Sequence, residues 1–201
     1  MQTTAAPGLK RVLFIDRDGT IVKEAPPTYQ LDSFEKLEFY PGVFQYLRKI
    51  ATDFQYEFVM VTNQDGLGTP GFPESSFWPV HNFIMTTFKN EGIEFAAVLI
   101  DKTFPADGAT TRKPGTGMLT SYLNDERYNI PGSFVIGDRI TDVQLAKNLG
   151  CKAIWLNVDE SLGSAEIKNT VAELRRSVIA LATASWKDVY EYLLNIERNP
   201  V

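Results

Sequence analysis

Apolar positions in the chain fall into short unbroken runs separated by amphipathic stretches. Arg11-Val12-Leu13-Phe14-Ile15 is apolar after its first residue and stops abruptly at Asp16; such a run suits a strand buried on both faces. The pattern recurs in Glu57–Val61, which ends at Thr62-Asn63, in Ala96–Ile100, which ends at Asp101, and in Phe134–Ile136, which ends at Gly137-Asp138. Ala153–Leu156 makes a fifth run. Between these runs the spacing and end signals predict helices over Gly42–Ala51, Val80–Asn90, Gly117–Arg127 and Ile140–Leu149, the last closed by Gly150. Ser185-Trp186-Lys187-Asp188 reads as a capping box opening a final helix over Trp186–Ile196. Strands alternating with helices predict an α/β fold, a Rossmann-like, mostly parallel sheet with helices on both faces. Open sheets of this kind bind ligands outside the carboxyl ends of their strands, where four of the five runs deliver polar residues.

Two segments break the alternation. Residues 23–39 carry Pro26-Pro27 and several aromatics, and residues 64–79 are rich in Gly and Pro. Connections longer than about 12 residues in a compact domain are usually lids or binding loops, so both are candidates for substrate recognition; the other reading is a loop packed over the core by its own aromatics. At 201 residues the chain exceeds a typical domain of about 150 residues, which favours one domain over residues 1–201 with these insertions.

Composition narrows the chemistry. Twenty-five acids against 20 bases give a net charge of −5, which argues against gripping nucleic acid by bulk charge. A single cysteine, Cys151, and a single histidine, His81, exclude an intrachain disulfide, a His-rich metal site and a zinc finger. Any metal must therefore use mainly oxygen ligands. The longest apolar stretches, such as Phe95–Ile100, are far shorter than the roughly 20 residues of a membrane span, and Met1–Lys10 has no apolar signal core, so a cytoplasmic protein without a membrane partner is expected.

Chemistry concentrates in four places. In Asp16-Arg17-Asp18-Gly19-Thr20, two carboxylates stand two residues apart at a strand end and are expected to project to one side, with Arg17 to the other. Anions that close need a cation nearby, while Gly19 lets the backbone turn sharply and Thr20 offers a hydroxyl. Alone, the pentapeptide also fits a strand followed by an Asp/Gly turn. Gly137-Asp138-Arg139-Ile140-Thr141-Asp142 places carboxylates four apart, on one face if the chain turns helical there; helix capping explains one of them but not both. Thr62-Asn63 and Arg112-Lys113-Pro114 supply small hydrogen-bonding groups and a cation, each unremarkable by itself.

In their order these pieces change the picture. DxDGT after the first strand, Thr-Asn after the second, Lys-Pro before a helix and GDxxxD after the fourth resemble the haloacid dehalogenase superfamily of phosphohydrolases over roughly residues 11–156. The resemblance implies a Rossmann-like sheet with the Asp16 strand central and a small cap or none. It implies Asp16 as the nucleophile that forms an aspartyl-phosphate, and Asp18 as general acid and base. Mg²⁺ would be bound by Asp16, the Asp18 backbone carbonyl and Asp138, with Thr20 and Asp142 in support. Thr62, Asn63 and Lys113 would clamp the phosphate oxygens.

Longer matches, Phe14–Thr20, Asp32-Ser-Phe-Glu-Lys-Leu, Thr62-Asn-Gln-Asp-Gly-Leu-Gly-Thr with Phe72-Pro73, and His81-Asn82, resemble the histidinol-phosphate phosphatase branch of that superfamily. Members of that branch are often fused to an imidazoleglycerol-phosphate dehydratase domain, so the chain is expected to be either complete or one part of such a fusion. The competing heptose bisphosphate branch typically carries Asn-Gln-Ser-Gly where this chain has Asp65; an extra anion there favours a substrate bearing an amine and an imidazole over a bisphosphate. Glu24, Gln30, Asp65 and His81 are the candidate substrate contacts. Both branches commonly hold zinc with three cysteines and a histidine before the Lys-Pro motif. Asp101–Thr111 contains neither residue, so no zinc is expected there, and Phe104, Pro105 and hydrogen bonds must order the loop unless it is mobile. A receiver-like signalling module and a polynucleotide 3′-phosphatase are the rivals. A receiver's acceptor Asp lacks a second Asp at +2, and the acidic chain shows no clustered basic stripe for nucleic acid.

Overall fold

The computed structural model describes residues 8–156 and 172–199. Six parallel strands, β1 (Arg11–Ile15), β2 (Tyr56–Asn63), β3 (Phe95–Asp101), β4 (Phe134–Gly137), β5 (Lys152–Trp155) and β6 (Ile179–Ala182), form one sheet in the order β3-β2-β1-β4-β5-β6. The helices are α1 (Val43–Asp53), α2 (Glu74–Asn90), the short α3 (Thr120–Leu123), α4 (Ile140–Leu149) and α5 (Trp186–Arg198), with residues 172–177 also helical.

The unbroken apolar runs are explained by burial on both faces. Leu13 and Ile15 join a core beneath α1, α2 and α5 with Leu47, Ile84, Phe88 and Trp186. Val12 and Phe14 point the opposite way, into a second core with Val143, Leu145, Tyr122 and Trp155. All four strand residues are fully buried, so a side-chain period of two produces an all-apolar string once both faces are covered.

Three elements differ from the expectation. Helix α2 starts at Glu74 rather than Val80, because Pro73 caps it and Phe77, fully buried with Leu67 and Phe72, anchors its first turns. Pro79 lies inside this helix; the Gly/Pro content of 64–79 hides the helix start. The helix expected over Gly117–Arg127 shrinks to a 3₁₀ turn, Gly117–Leu119, followed by α3. The chain then turns at Asp125, whose carboxylate accepts from the Arg127 amide at 3.0 Å. Strand β6 was not legible, being four residues of alternating Ile, Leu and Ala paired only with β5.

Segment 23–39 combines both of its readings. Its base is pinned by backbone bonds, Lys23 N to Glu38 O at 2.7 Å and Tyr40 N to Ile21 O at 3.0 Å, and Leu31 is buried. Phe39 packs on Phe44 and Phe88. Toward the tip, Pro26 to Tyr29 are exposed, and Tyr29 has a φ of 59°, a left-handed conformation uncommon outside glycine.

Strand order places the chemistry. From β1 the chain moves outward to β2 and β3, then returns to pair β4 on the other side of β1. The reversal falls between β1 and β4, which carry the DxDGT and GDxxxD segments at their carboxyl ends, and such a switch point leaves a crevice for ligands.

Candidate active site

Asp16 follows β1 directly, and its amide donates to Ile136 O of β4 at 2.9 Å. Asp138 follows β4, and Asp142 lies in the first turn of α4. Oxygen atoms of Asp16, Asp138 and Asp142 lie within 4.8 Å of one another. Lys113 comes to them from the loop after β3, its Nζ 2.7 Å from Asp16 Oδ1 and 2.7 Å from Asp142 Oδ1. The Lys113 side chain is 4% exposed. A buried ammonium between two carboxylates makes strong charge-assisted bonds.

One lysine does not neutralise three carboxylates. Burial first, and then repulsion from Asp142 and Asp18, pushes the Asp16 carboxyl up to about 6 against the pull of Lys113. Asp138 is pushed up to about 8, again by burial first and then by Asp16 and Asp142. Clustered, desolvated oxygen donors whose charge Lys113 and the Arg139 beside Asp138 balance only in part fit a hard divalent cation such as Mg²⁺. Gly19 leaves room for this arrangement: it has a φ of +78°, and a Cβ there would stand 2.3 Å from Asp138 Oδ2. Gly137 does the same for Asp142, whose Oδ2 would be 2.3 Å from a Cβ.

Asp18 is held by its own neighbour. Arg17 was expected to project away from the two carboxylates. Instead its side chain is fully buried and curls back so that Nε and Nη2 donate to Asp18 Oδ1 and Oδ2 at 3.0 and 2.9 Å. Gln64 Nε2 adds a bond to Asp18 Oδ2 at 2.7 Å, while Arg17 Nη2 also donates to Gln64 Oε1 at 3.1 Å. The guanidinium stacks over Phe77 at 4.8 Å. A bidentate fork of this kind fixes the direction in which Asp18 faces.

His81, a candidate substrate contact, is buried at the back of this support. It is 3% exposed, stacks on Phe77 at 5.1 Å and lies 3.5 Å from Arg17 Nη1 through Nδ1. Burial, with the adjacent Arg17 charge, lowers its pKa to about 4, so the ring is neutral at ordinary pH and can accept from Arg17.

The phosphate-binding candidates divide. Thr62 is buried at the end of β2 and accepts from Gln64 Nε2 at 2.9 Å. The Asn63 side chain is committed to the Lys113 backbone, accepting from Lys113 N at 3.0 Å and donating to Lys113 O at 3.1 Å. Thr20 is fully buried, and its Oγ1 has no hydrogen-bond partner among the described residues. Its carbonyl accepts from Trp186 Nε1 of α5 at 3.0 Å, and Asp138 O accepts from Trp155 Nε1 at 2.8 Å. Two indoles therefore brace the two acidic loops from behind. Nothing in the spacing of Trp155 or Trp186 signals this.

Both acidic substrate candidates are already paired. Glu24 accepts from Arg139, whose Nε lies 3.2 Å away. Asp65 forms a two-point pair with Arg112, whose Nη2 donates at 3.1 Å. The idea that Asp65 presents a bare anion that repels a bisphosphate does not hold in this arrangement, because Arg112 neutralises it. Gln30 stands in the 23–39 segment, its backbone N–H donating to Thr28 Oγ1 at 3.4 Å.

Comparison with known proteins agrees with this geometry. The family described as HAD-hydrolase-like matches residues 110–172. The chain is 56% identical over 189 residues to the histidine biosynthesis bifunctional protein HisB of Bacteroides fragilis, covering 94% of this chain and 49% of that protein. It is 50% identical over 187 residues to the protein of the same name from Spirosoma linguale, covering 92% and 49%. The chain thus spans about half the length of the curated relatives it matches. Among solved structures, D,D-heptose 1,7-bisphosphate phosphatase from B. bronchiseptica, complexed with magnesium and phosphate, superposes with a TM-score of 0.74 at 22% identity, over 93% of this chain and 99% of that one. At that identity the likeness shows the fold. With its parallel sheet, its four motifs in order and these relatives, the chain resembles the haloacid-dehalogenase-like hydrolases and one half of HisB.

Proposed function

We propose that the chain is a Mg²⁺-dependent phosphomonoesterase that hydrolyses L-histidinol phosphate to L-histidinol and phosphate. The observation that carries the reaction class is the buried cluster of Asp16, Lys113, Asp142 and Asp138 at the sheet's switch point. The substrate assignment is supported by the motif resemblance and by the name, histidine biosynthesis bifunctional protein, of relatives at 50 and 56% identity. The half of those relatives that this chain does not span leaves a place for a fused imidazoleglycerol-phosphate dehydratase domain, the proposed partner.

The proposed roles are those that the motif resemblance implies. Asp16 attacks phosphorus, forming an O–P bond as the bond to the alkoxide breaks. Asp18, aimed by Arg17 and Gln64, gives its proton to that alkoxide. It then takes a proton from the water that opens the aspartyl-phosphate. Lys113 and Thr62 bind the phosphoryl oxygens, and Asn63 acts on them through its backbone while its side chain holds Lys113. Asp16, the Asp18 carbonyl and Asp138 would hold Mg²⁺, which would supply charge that neutralises the phosphate. In the free site Glu24 and Asp65 are each paired with an arginine, so a cationic substrate must exchange with Arg139 or Arg112 to reach them.

Phosphate release from histidinol phosphate, heptose bisphosphate, a 3′-phospho-oligonucleotide and simple sugar phosphates, with and without Mg²⁺, tests the reading. The expected result is Mg²⁺-dependent turnover with the highest kcat/KM on histidinol phosphate. Turnover of another ester at higher kcat/KM would move the substrate assignment, and no Mg²⁺-dependent turnover of any would remove the enzyme reading.

A further inference from the structure

Lys113 reaches the site on a long, flexible stem, so its ammonium is only as well placed as the backbone at its root. That backbone is gripped on one side by Asn63, as described above. On the other side lies a compact set of bonds around Asp101, the last residue of β3, which is 3% exposed. Its Oδ1 accepts from Thr103 N at 2.9 Å and Thr103 Oγ1 at 2.5 Å, and its Oδ2 accepts from Thr111 Oγ1 at 2.5 Å. Burial opposes the Asp101 charge, but these bonds and nearby Arg112 outweigh it and hold the carboxyl below its ordinary range.

Two residues on from Thr111 is Lys113 itself. Between them Arg112 donates to Thr103 O at 2.8 Å and pairs with Asp65, so the loop is also tied to the segment that follows β2. Asp101 O accepts from Gln64 N at 2.7 Å, which locks the ends of β2 and β3 together. The return of the chain is tight: Gly117 N donates to Thr110 O at 2.9 Å, and a Cβ on Gly115 would meet Thr110 O at 2.2 Å. Phe104 covers the outside, its ring 2.4 Å from where a Cβ on Gly66 would stand.

We infer that Asp101, Thr111 and Arg112 are positioning residues for Lys113, a hydrogen-bonded hub that fixes the root of the phosphate-binding lysine in a loop with no cysteine or histidine of its own. The inference rests on the phosphatase reading for what Lys113 binds. None of the three residues is required to touch the substrate. What they control is where the ammonium stands between Asp16 and Asp142, and displacements of about 1 Å in such groups can reduce rates by roughly 100-fold.

The pair Thr111→Val and Thr111→Ser tests this, since Val keeps the shape without the hydroxyl and Ser restores it. Two quantities are read on the whole chain: amide hydrogen exchange at Lys113 in metal-free protein, and affinity for inorganic phosphate with Mg²⁺ present. Thr111→Val is expected to speed Lys113 exchange about ten-fold, as local opening becomes easier, and to weaken phosphate by a similar factor. Thr111→Ser is expected to keep both near the wild-type value. Should Thr111→Val fail to fold, Asp101→Asn, which weakens the same hub, replaces it with the same expectation. Unchanged Lys113 exchange in the Val or Asn variant, or equal losses in Ser and Val, would overturn the inference. The exchange measurement needs no substrate, so it decides the inference even if the wild-type protein releases no phosphate from any ester, an outcome that would remove the phosphatase reading instead.

Discussion

Asp16→Asn is expected to lower kcat by at least about four orders of magnitude while leaving the fold intact, because it removes the proposed nucleophile. The asparagine side chain has the same shape and still offers an oxygen to Lys113, which keeps its second partner, Asp142, at 2.7 Å. The substitution also removes a buried charge from a crowded site, where burial and two neighbouring carboxylates already push Asp16 up to about 6. Stability is therefore expected to hold or rise slightly. Steady-state phosphate release together with a thermal melt checks both parts. A near-normal kcat would refute covalent catalysis at this position.

Lys113→Met is the second large effect, and it strikes stability as well as rate. Methionine fills a similar volume but leaves Asp16 and Asp142 buried without their shared cation. Breaking a buried ion pair by removing one partner costs about 3–5 kcal/mol, and loss of the proposed phosphate-binding donor is expected to lower kcat/KM by roughly 100- to 1000-fold or more. The raised pKa of Lys113 fixes the sign of the pH dependence. Burial opposes its charge, but Asp142 and Asp16 outweigh that and hold it charged to higher pH than a free lysine. Its stabilising contribution is thus fully present below the ordinary lysine range and is lost only as pH rises beyond it. Across neutral pH the deficit of Lys113→Met should persist, and it should shrink when Mg²⁺ is added, because a divalent cation relieves the same repulsion. Chemical denaturation with and without Mg²⁺ measures this; equal stability of variant and wild type in metal-free buffer would contradict the role given to Lys113.

Much of the site could be read from the order of residues because it is assembled from strand ends. Asp16 and Asp138 each directly follow a short apolar run, so a parallel sheet brings them together whatever the loops do. Asp142 and Lys113 were placed by the same motif logic. What the linear pattern could not carry is the set of side-chain choices made across long separations. Arg17 curls back because the Phe77 face and the His81 ring, 60 and 64 residues further along the chain, form a pocket for its guanidinium. Glu24 finds Arg139 across 115 positions, and Asp65 finds Arg112 across 47, which turns two expected anionic contacts into neutral pairs.

Helix α2 and strand β6 escaped for local reasons. Proline and glycine near residue 70 mask the helix start, and four small or aliphatic residues give β6 too little pattern to distinguish it from a loop. The hub at Asp101 escaped because a strand-end aspartate followed by threonines looks like an ordinary turn until Thr111 returns to it.

The proposed reaction has a covalent step at one carboxylate, and its most direct test is the mass of the peptide carrying Asp16 after Asp18→Asn protein has been mixed with histidinol phosphate and Mg²⁺ and quenched in acid. Without the base that activates water, the intermediate should form slowly and persist, so that peptide is expected to carry one phosphoryl group that Asp16→Asn protein never acquires. An unmodified Asp16 peptide in Asp18→Asn protein that still releases phosphate would contradict the account.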